Sequence, residues 1–212
     1  MCLFIGKTSF LPTRKGFAMK VKLLNVTGYN DALMGIGLSY GLTSPYESLA
    51  ETPDATRVRL EKIAERLSKL DGGEDKFLRS IVVTLDVTAS LYWWKEADTY
   101  KVGTVAQSES TMHTLMENEI TQACFERPIF PDTITHLEGL RKMGNFETLV
   151  NELPCGWLQR RIWTLNYAVV KNILAKRSHH KLAEWRYLCE TFREKLPYSF
   201  LLGGDKNACN LQ

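Results

Sequence analysis

The stretch Leu153–Trp185, LPCGWLQRRIWTLNYAVVKNILAKRSHHKLAEW, decides how the chain is read. From Pro154 to about Arg177 it reads as one long helical run, and Lys181–Lys195 reads as the last helix. On such a helix Asn166 and Arg177 lie within roughly 20° of one face and roughly 16 Å apart along the axis. They would then reach two ends of an extended site. An asparagine amide both donates and accepts, which suits the mixed edge of a heteroaromatic ring. Asn166 and Asn172 are poor helix formers, so something must compensate them there.

Working outward, Val21–Val26 reads as a partly buried strand and Asn30–Tyr40 as a helix whose Gly35 and Gly37 point to close backbone packing. Thr52-Pro53 opens an amphipathic helix, with Thr52 as its cap and Val58, Leu60, Ile63, Leu67 and Leu70 on its apolar side; Gly72-Gly73 ends it. Ser80–Val87, SIVVTLDV, reads as a central strand. Leu91–Thr99 reads as a helix, Gly103–His113 as a polar stretch, Leu115–Arg127 as a helix, Pro128–Thr133 as a loop and Leu137–Leu149 as another helix. The sum is a single α/β domain over 19–212, a central sheet with flanking helices. Met1–Ala18 reads as an extension that adds little to the fold.

The composition narrows the function. A net charge of +3 with dispersed basic residues argues against a nucleic-acid binder. No apolar run approaches the roughly 20 residues that span a membrane. Five widely spaced cysteines without a CxxC pair suggest neither a zinc site nor a disulfide framework, which fits a reducing, cytoplasmic setting. His179-His180 has no acidic partner at ligand spacing and reads as a surface pair. Trp93, Trp94 and Trp163 read as core or interface packing.

Three stretches together resemble the flavin-dependent thymidylate synthases: Met19–Ser44, Ser80–His113 and Leu153–Trp185. The last is the most specific. The family's Leu-Pro, Trp-Thr-x-Asn, following Asn and following Arg appear as Leu153-Pro154, Trp163-Thr164-Leu165-Asn166, Asn172 and Arg177, and its Ala-Gln-Trp as Ala183-Glu184-Trp185. The resemblance implies FAD, with NADPH and methylene-tetrahydrofolate as co-substrates, and conversion of dUMP to dTMP by a homotetramer that holds flavin between subunits. It implies flavin contacts from Asn166, Asn172, Tyr100, Lys101 and Thr104. It places nucleotide contacts at Glu96, Gln107, Ser108, Ser110 and Arg177, with Arg177 and Ser110 serving catalysis. Arg177 would sit on the pyrimidine and stabilise charge developing on a ring carbonyl oxygen.

The chain departs from the family signature RHRxxSxNExSxRY. The triplet falls on Thr99-Tyr100-Lys101, the first serine on Thr104, the Asn-Glu pair near Ala106–Ser108, the later serine on Ser110 and the Arg-Tyr pair on Met112-His113. A family glutamine falls on Glu96 and a family arginine on Val150. At about 1.5–3 kcal/mol per charged hydrogen bond, three missing arginines remove roughly 4–9 kcal/mol. Micromolar binding is worth only about 8 kcal/mol. Lys101, Arg160, Arg161, Lys171 and Lys176 are the candidate replacements. Glu96 would favour an amino-bearing base edge such as cytosine's. Three readings therefore stand: a thymidylate synthase, a diverged enzyme for another pyrimidine deoxynucleotide, and a non-catalytic nucleotide-binding oligomer. The divergent character suggests a phage or mobile element.

Overall fold

The computed structural model describes residues 16–70 and 73–203. Four strands, β1 (Lys20–Thr27), β2 (Val82–Ser90), β3 (Thr104–Ser108) and β4 (Leu158–Asn166), form one antiparallel sheet in the order β1-β2-β4-β3. Helices flank it, so the expected α/β class holds. Strand β2 buries Val83, Leu85, Val87 and Ala89 on one face while Val82, Thr84, Asp86 and Thr88 stay half-buried, as a β-branched inner strand should.

The chain divides into two compact units. One comprises Thr88–Ala97, Ser108–Arg161 and the described residues up to Lys20. It contains α3 (Leu91–Ala97), α4 (Thr111–Glu117), α5 (Pro131–Lys142) and α6 (Phe146–Asn151). Its core gathers Leu115, Ile120, Phe125, Leu137, Leu140 and Leu149. Glu138 receives both Nε and Nη2 of Arg141, at 2.8 and 2.6 Å, and the amide of Ile120 at 2.9 Å, which ties α5 to the loop before it. Residues 1–15 of the expected extension lie outside the described residues. Its last residues are built in: Phe17 is buried, and the amides of Ala18 and Met19 donate to the buried Glu126 carboxylate.

The other unit comprises Val21–Val87, Asp98–Gln107 and the described residues from Ile162. It holds α1 (Tyr29–Ser39), α2 (Asp54–Ser68), α7 (Tyr167–Arg177) and α8 (Ala183–Lys195). Trp185 and Leu188 of α8, Ile173 of α7, Leu60 of α2 and Leu78 have no exposed surface. At about 1.5–3 kcal/mol for each large apolar side chain, such burial dominates the stability of the unit. The close packing expected at the α1 glycines holds at Gly37, where a Cβ would lie 2.2 Å from Thr43 Cγ2, but not at Gly35, where a Cβ would meet nothing within 4 Å. The capping of α2 differs from expectation. Thr52 donates to the carbonyl of Leu49, Pro53 occupies the cap position, and Val58 and Leu70 are exposed.

The largest correction concerns 154–177. The run is strand β4 followed by the shorter helix α7. Trp163 and Leu165 are buried while Ile162, Thr164 and Asn166 between and beside them are half-buried, which is strand periodicity. Asn166 starts α7 as its cap, its Oδ1 accepting from Val169 N at 3.1 Å. The common helix face for Asn166 and Arg177 is therefore withdrawn. The polar stretch after Gly103 contains β3, an edge strand too exposed to show an apolar pattern. Leu115–Arg127 is helical only to Glu117, with a short turn at Gln122–Cys124. Leu137–Leu149 is broken by Gly144, whose φ of 72 ends α5 before α6 begins.

Candidate functional site

Arg177 is the last residue of α7. Its Nε donates to the Tyr100 hydroxyl at 3.0 Å. Its guanidinium carbon lies 4.8 Å from the Trp185 ring centre and 5.7 Å from that of Tyr100. The two rings are 5.9 Å apart at 56°. Trp185 is fully buried in α8, so one wall of this clamp is immobile. A guanidinium stacked on aromatic faces is partly desolvated and held in one orientation, which strengthens its remaining hydrogen bonds. Thr104 donates its hydroxyl to the Tyr100 carbonyl, fixing the loop that carries the phenol.

Gly103 closes that loop with φ 76, a conformation that side chains resist. A Cβ there would lie 2.6 Å from Asn166 Nδ2. The Asn166 amide is thus engaged twice, capping α7 with its oxygen and packing its nitrogen on Gly103. Lys101 and Lys176 are exposed and flank Tyr100 and Arg177 in sequence, and Asn172 is exposed on α7. Gln107 is exposed on β3. All these residues belong to the same compact unit.

Glu96, Ser108 and Ser110 belong to the other unit. Glu96 is half-buried on α3, while Ser108 and Ser110 are exposed. Ser110 precedes α4, where its carbonyl receives Thr114 N at 3.0 Å. Of the replacement cations, Lys171 is committed elsewhere: its Nζ donates to Ser68 O at 2.6 Å and Asp75 Oδ2 at 2.8 Å. Arg161 stacks 4.4 Å over Trp94, with its Nε on Gln159 Oε1 at 2.9 Å. Arg160 is exposed and pairs through its backbone with Glu109. Trp93, Trp94 and Trp163 are buried in the core.

Two features were not singled out from the sequence. One is Trp185 as a wall of the Arg177 clamp, although its match to the family motif flagged the position. The other is a cavity of about 510 Å³ in the Arg177-bearing unit. Asp31, Ile36 and Tyr40 of the α1 region line it with Glu74, Lys76 and Phe77. No single segment announces it, because the lining comes from positions more than thirty residues apart. That volume suits a ring-bearing ligand. Among the described residues no group of three or more His, Cys, Asp or Glu side chains is placed to hold a metal, and no helix is long and apolar enough to cross a membrane.

No protein-family model and no curated protein matches the chain. Solved structures do. The flavin-dependent thymidylate synthase ThyX of Helicobacter pylori, complexed with FAD and dUMP, superposes with a TM-score of 0.69 at 16% identity, covering 86% of this chain and 97% of that one. A second structure of that enzyme with FAD and dUMP gives 0.67, with coverage of 87% and 97%. The UMP/dUMP methylase PolB of Streptomyces cacaoi, bound with 5-Br dUMP, gives 0.58 at 11% identity, covering 87% and 94%. The chain therefore has the fold of the flavin-dependent thymidylate synthases.

Proposed function

We propose that the chain is a flavin-dependent transferase that moves a one-carbon unit from methylene-tetrahydrofolate onto dUMP to give dTMP. The observation that carries this reading is the clamped Arg177, a fixed and partly desolvated cation at the position that the resemblance assigns to the pyrimidine. The fold supports it, since similar structures hold FAD and dUMP or a brominated dUMP.

The residues of the Arg177 unit fit ring ligands rich in carbonyl oxygens. Arg177 and Tyr100 offer donors, Lys101 and Lys176 add exposed positive charge, and the cavity beside α1 has room for a ring system. Tyr100 and Lys101 would hold FAD, which, reduced by NADPH, would supply the hydride that completes the methyl group. The chain's own part is to orient the pyrimidine and stabilise it as C5 becomes nucleophilic. Negative charge then spreads onto the ring carbonyl oxygens, and a preorganised guanidinium stabilises it at no reorganisation cost. The exposed apolar side chains Val102 and Val105 beside the loop fit assembly into a homotetramer.

Substitution at C5 displaces its hydrogen, which gives a direct assay. Protein supplied with FAD, NADPH, methylene-tetrahydrofolate and dUMP tritiated at C5 should release label to water and form dTMP. Arg177→Ala should reduce that rate at least about 100-fold, the scale for losing a preorganised donor. Neither release nor product from the wild type would overturn the proposal. A second reading, a diverged enzyme for another pyrimidine deoxynucleotide, rests on Glu96, a carboxylate where the family has an amide and so suited to an amino-bearing base edge. Product from dCMP but not dUMP would select it.

A further inference from the structure

Tyr100 is half-buried, and its phenol oxygen accepts from Arg177 Nε at 3.0 Å. That bond uses a lone pair and leaves the phenol's own proton to be donated. Among the described residues no acceptor takes it. The phenol cannot swing freely to find one. Its loop is held by the Thr104 hydroxyl on the Tyr100 carbonyl and by Gly103 packed on Asn166, and its ring lies against Trp185. A fixed O–H therefore lies beside a fixed guanidinium, and the two are oriented by one shared contact.

We propose that Tyr100 is a ligand-contacting and specificity-determining residue: its phenol and the Arg177 guanidinium together donate to one carbonyl oxygen of the pyrimidine ring. A carbonyl oxygen has two lone pairs and accepts from both. A ring amino group at the same place would set a third donor against two, leaving polar groups unpaired. The pair thus selects a keto position of the ring. This inference rests on the reading that places the pyrimidine at Arg177.

The test is calorimetric binding of dUMP, 2-thio-dUMP and 4-thio-dUMP to the FAD-loaded protein and to Tyr100→Phe, which keeps the ring and its packing. Sulfur is a weak acceptor, so the analogue altered at the contacted carbonyl should bind the wild type about tenfold more weakly than dUMP. Tyr100→Phe should bind dUMP about tenfold more weakly, about 1.4 kcal/mol, and should discriminate against that one analogue less than the wild type does, because only the Arg177 donor remains. The other analogue should lose affinity in the variant as dUMP does. The variant's far-UV circular dichroism should match the wild type. Equal dUMP binding by both proteins would overturn the inference. So would a loss in Tyr100→Phe equal for dUMP and both analogues, because the phenol would then act only by holding Arg177. A wild type that binds no pyrimidine nucleotide would instead remove the functional reading itself.

Discussion

Gly103→Ala probes the loop that carries Tyr100. Two costs can be worked from the structure. First, φ at Gly103 is 76, and an alanine there costs roughly 1–2 kcal/mol in backbone strain. Second, the new Cβ would lie 2.6 Å from Asn166 Nδ2 and 3.4 Å from Val169 Cγ2. The flexible amide must give way, and in moving it loses its cap on α7, worth roughly 1 kcal/mol. The single substitution should therefore destabilise by roughly 2–3 kcal/mol. Asn166→Ala alone should cost about 1 kcal/mol. In the double variant the amide is already absent, so the second cost is not charged twice, and the two changes should fall short of additivity by about 1 kcal/mol. Guanidinium unfolding followed by tryptophan fluorescence and circular dichroism measures all four corners of the cycle. Strict additivity, or a Gly103→Ala cost under about 0.5 kcal/mol, would refute the packing of this loop on Asn166.

Lys171→Met should destabilise by about 1–3 kcal/mol, because it leaves the Asp75 carboxylate and the Ser68 carbonyl without their ammonium; an unchanged denaturation midpoint would contradict the tie between α7 and the end of α2. Hydrogen bonds from Arg141, then the Ile120 amide, hold the Glu138 carboxyl down at about 2. A lowered folded pKa stabilises above the ordinary value near 4.5 and is lost as pH falls through 4.5 toward 2, so acid melts should fall over that window. Glu138→Gln should flatten the fall, and an equally steep profile would count against the ion pair. Burial first and the neighbouring Glu61 second push the Tyr29 hydroxyl above its ordinary range, and burial does the same at Tyr167. A raised folded pKa stabilises fully below pH 10 and less above it, so alkaline melts should decline, and less steeply in Tyr167→Phe; matching slopes would reject the assignment.

Much of the fold was legible where one segment carries its own signal. Strand β2 declared itself by its β-branched run, α8 by its amphipathic spacing, and Gly37 by the tight approach it permits to Thr43. Strand β4 was misread because the order β1-β2-β4-β3 pairs it with segments far away in sequence, and such pairing outweighs local preference. The clue was Asn166, a residue that starts helices better than it continues them. Strand β3 gave no clue, since an exposed edge has no apolar face to reveal. At the site, Arg177 and Tyr100 were marked by motif spacing, but their contact was not, because a loop and a helix end 77 positions apart meet only in the folded chain. Lys171 shows the converse: a lysine on a basic helix looks available until Asp75 is seen beside it.

A flavin and a pyrimidine nucleotide should come together on this chain at Arg177. Titrating the purified protein with FAD, and then with dUMP, while recording the visible flavin spectrum tests it most directly. FAD uptake should saturate, and dUMP addition should cause a further spectral shift that Arg177→Ala abolishes without losing FAD. A protein that takes up no FAD, or whose flavin spectrum ignores dUMP in the wild type, would contradict it.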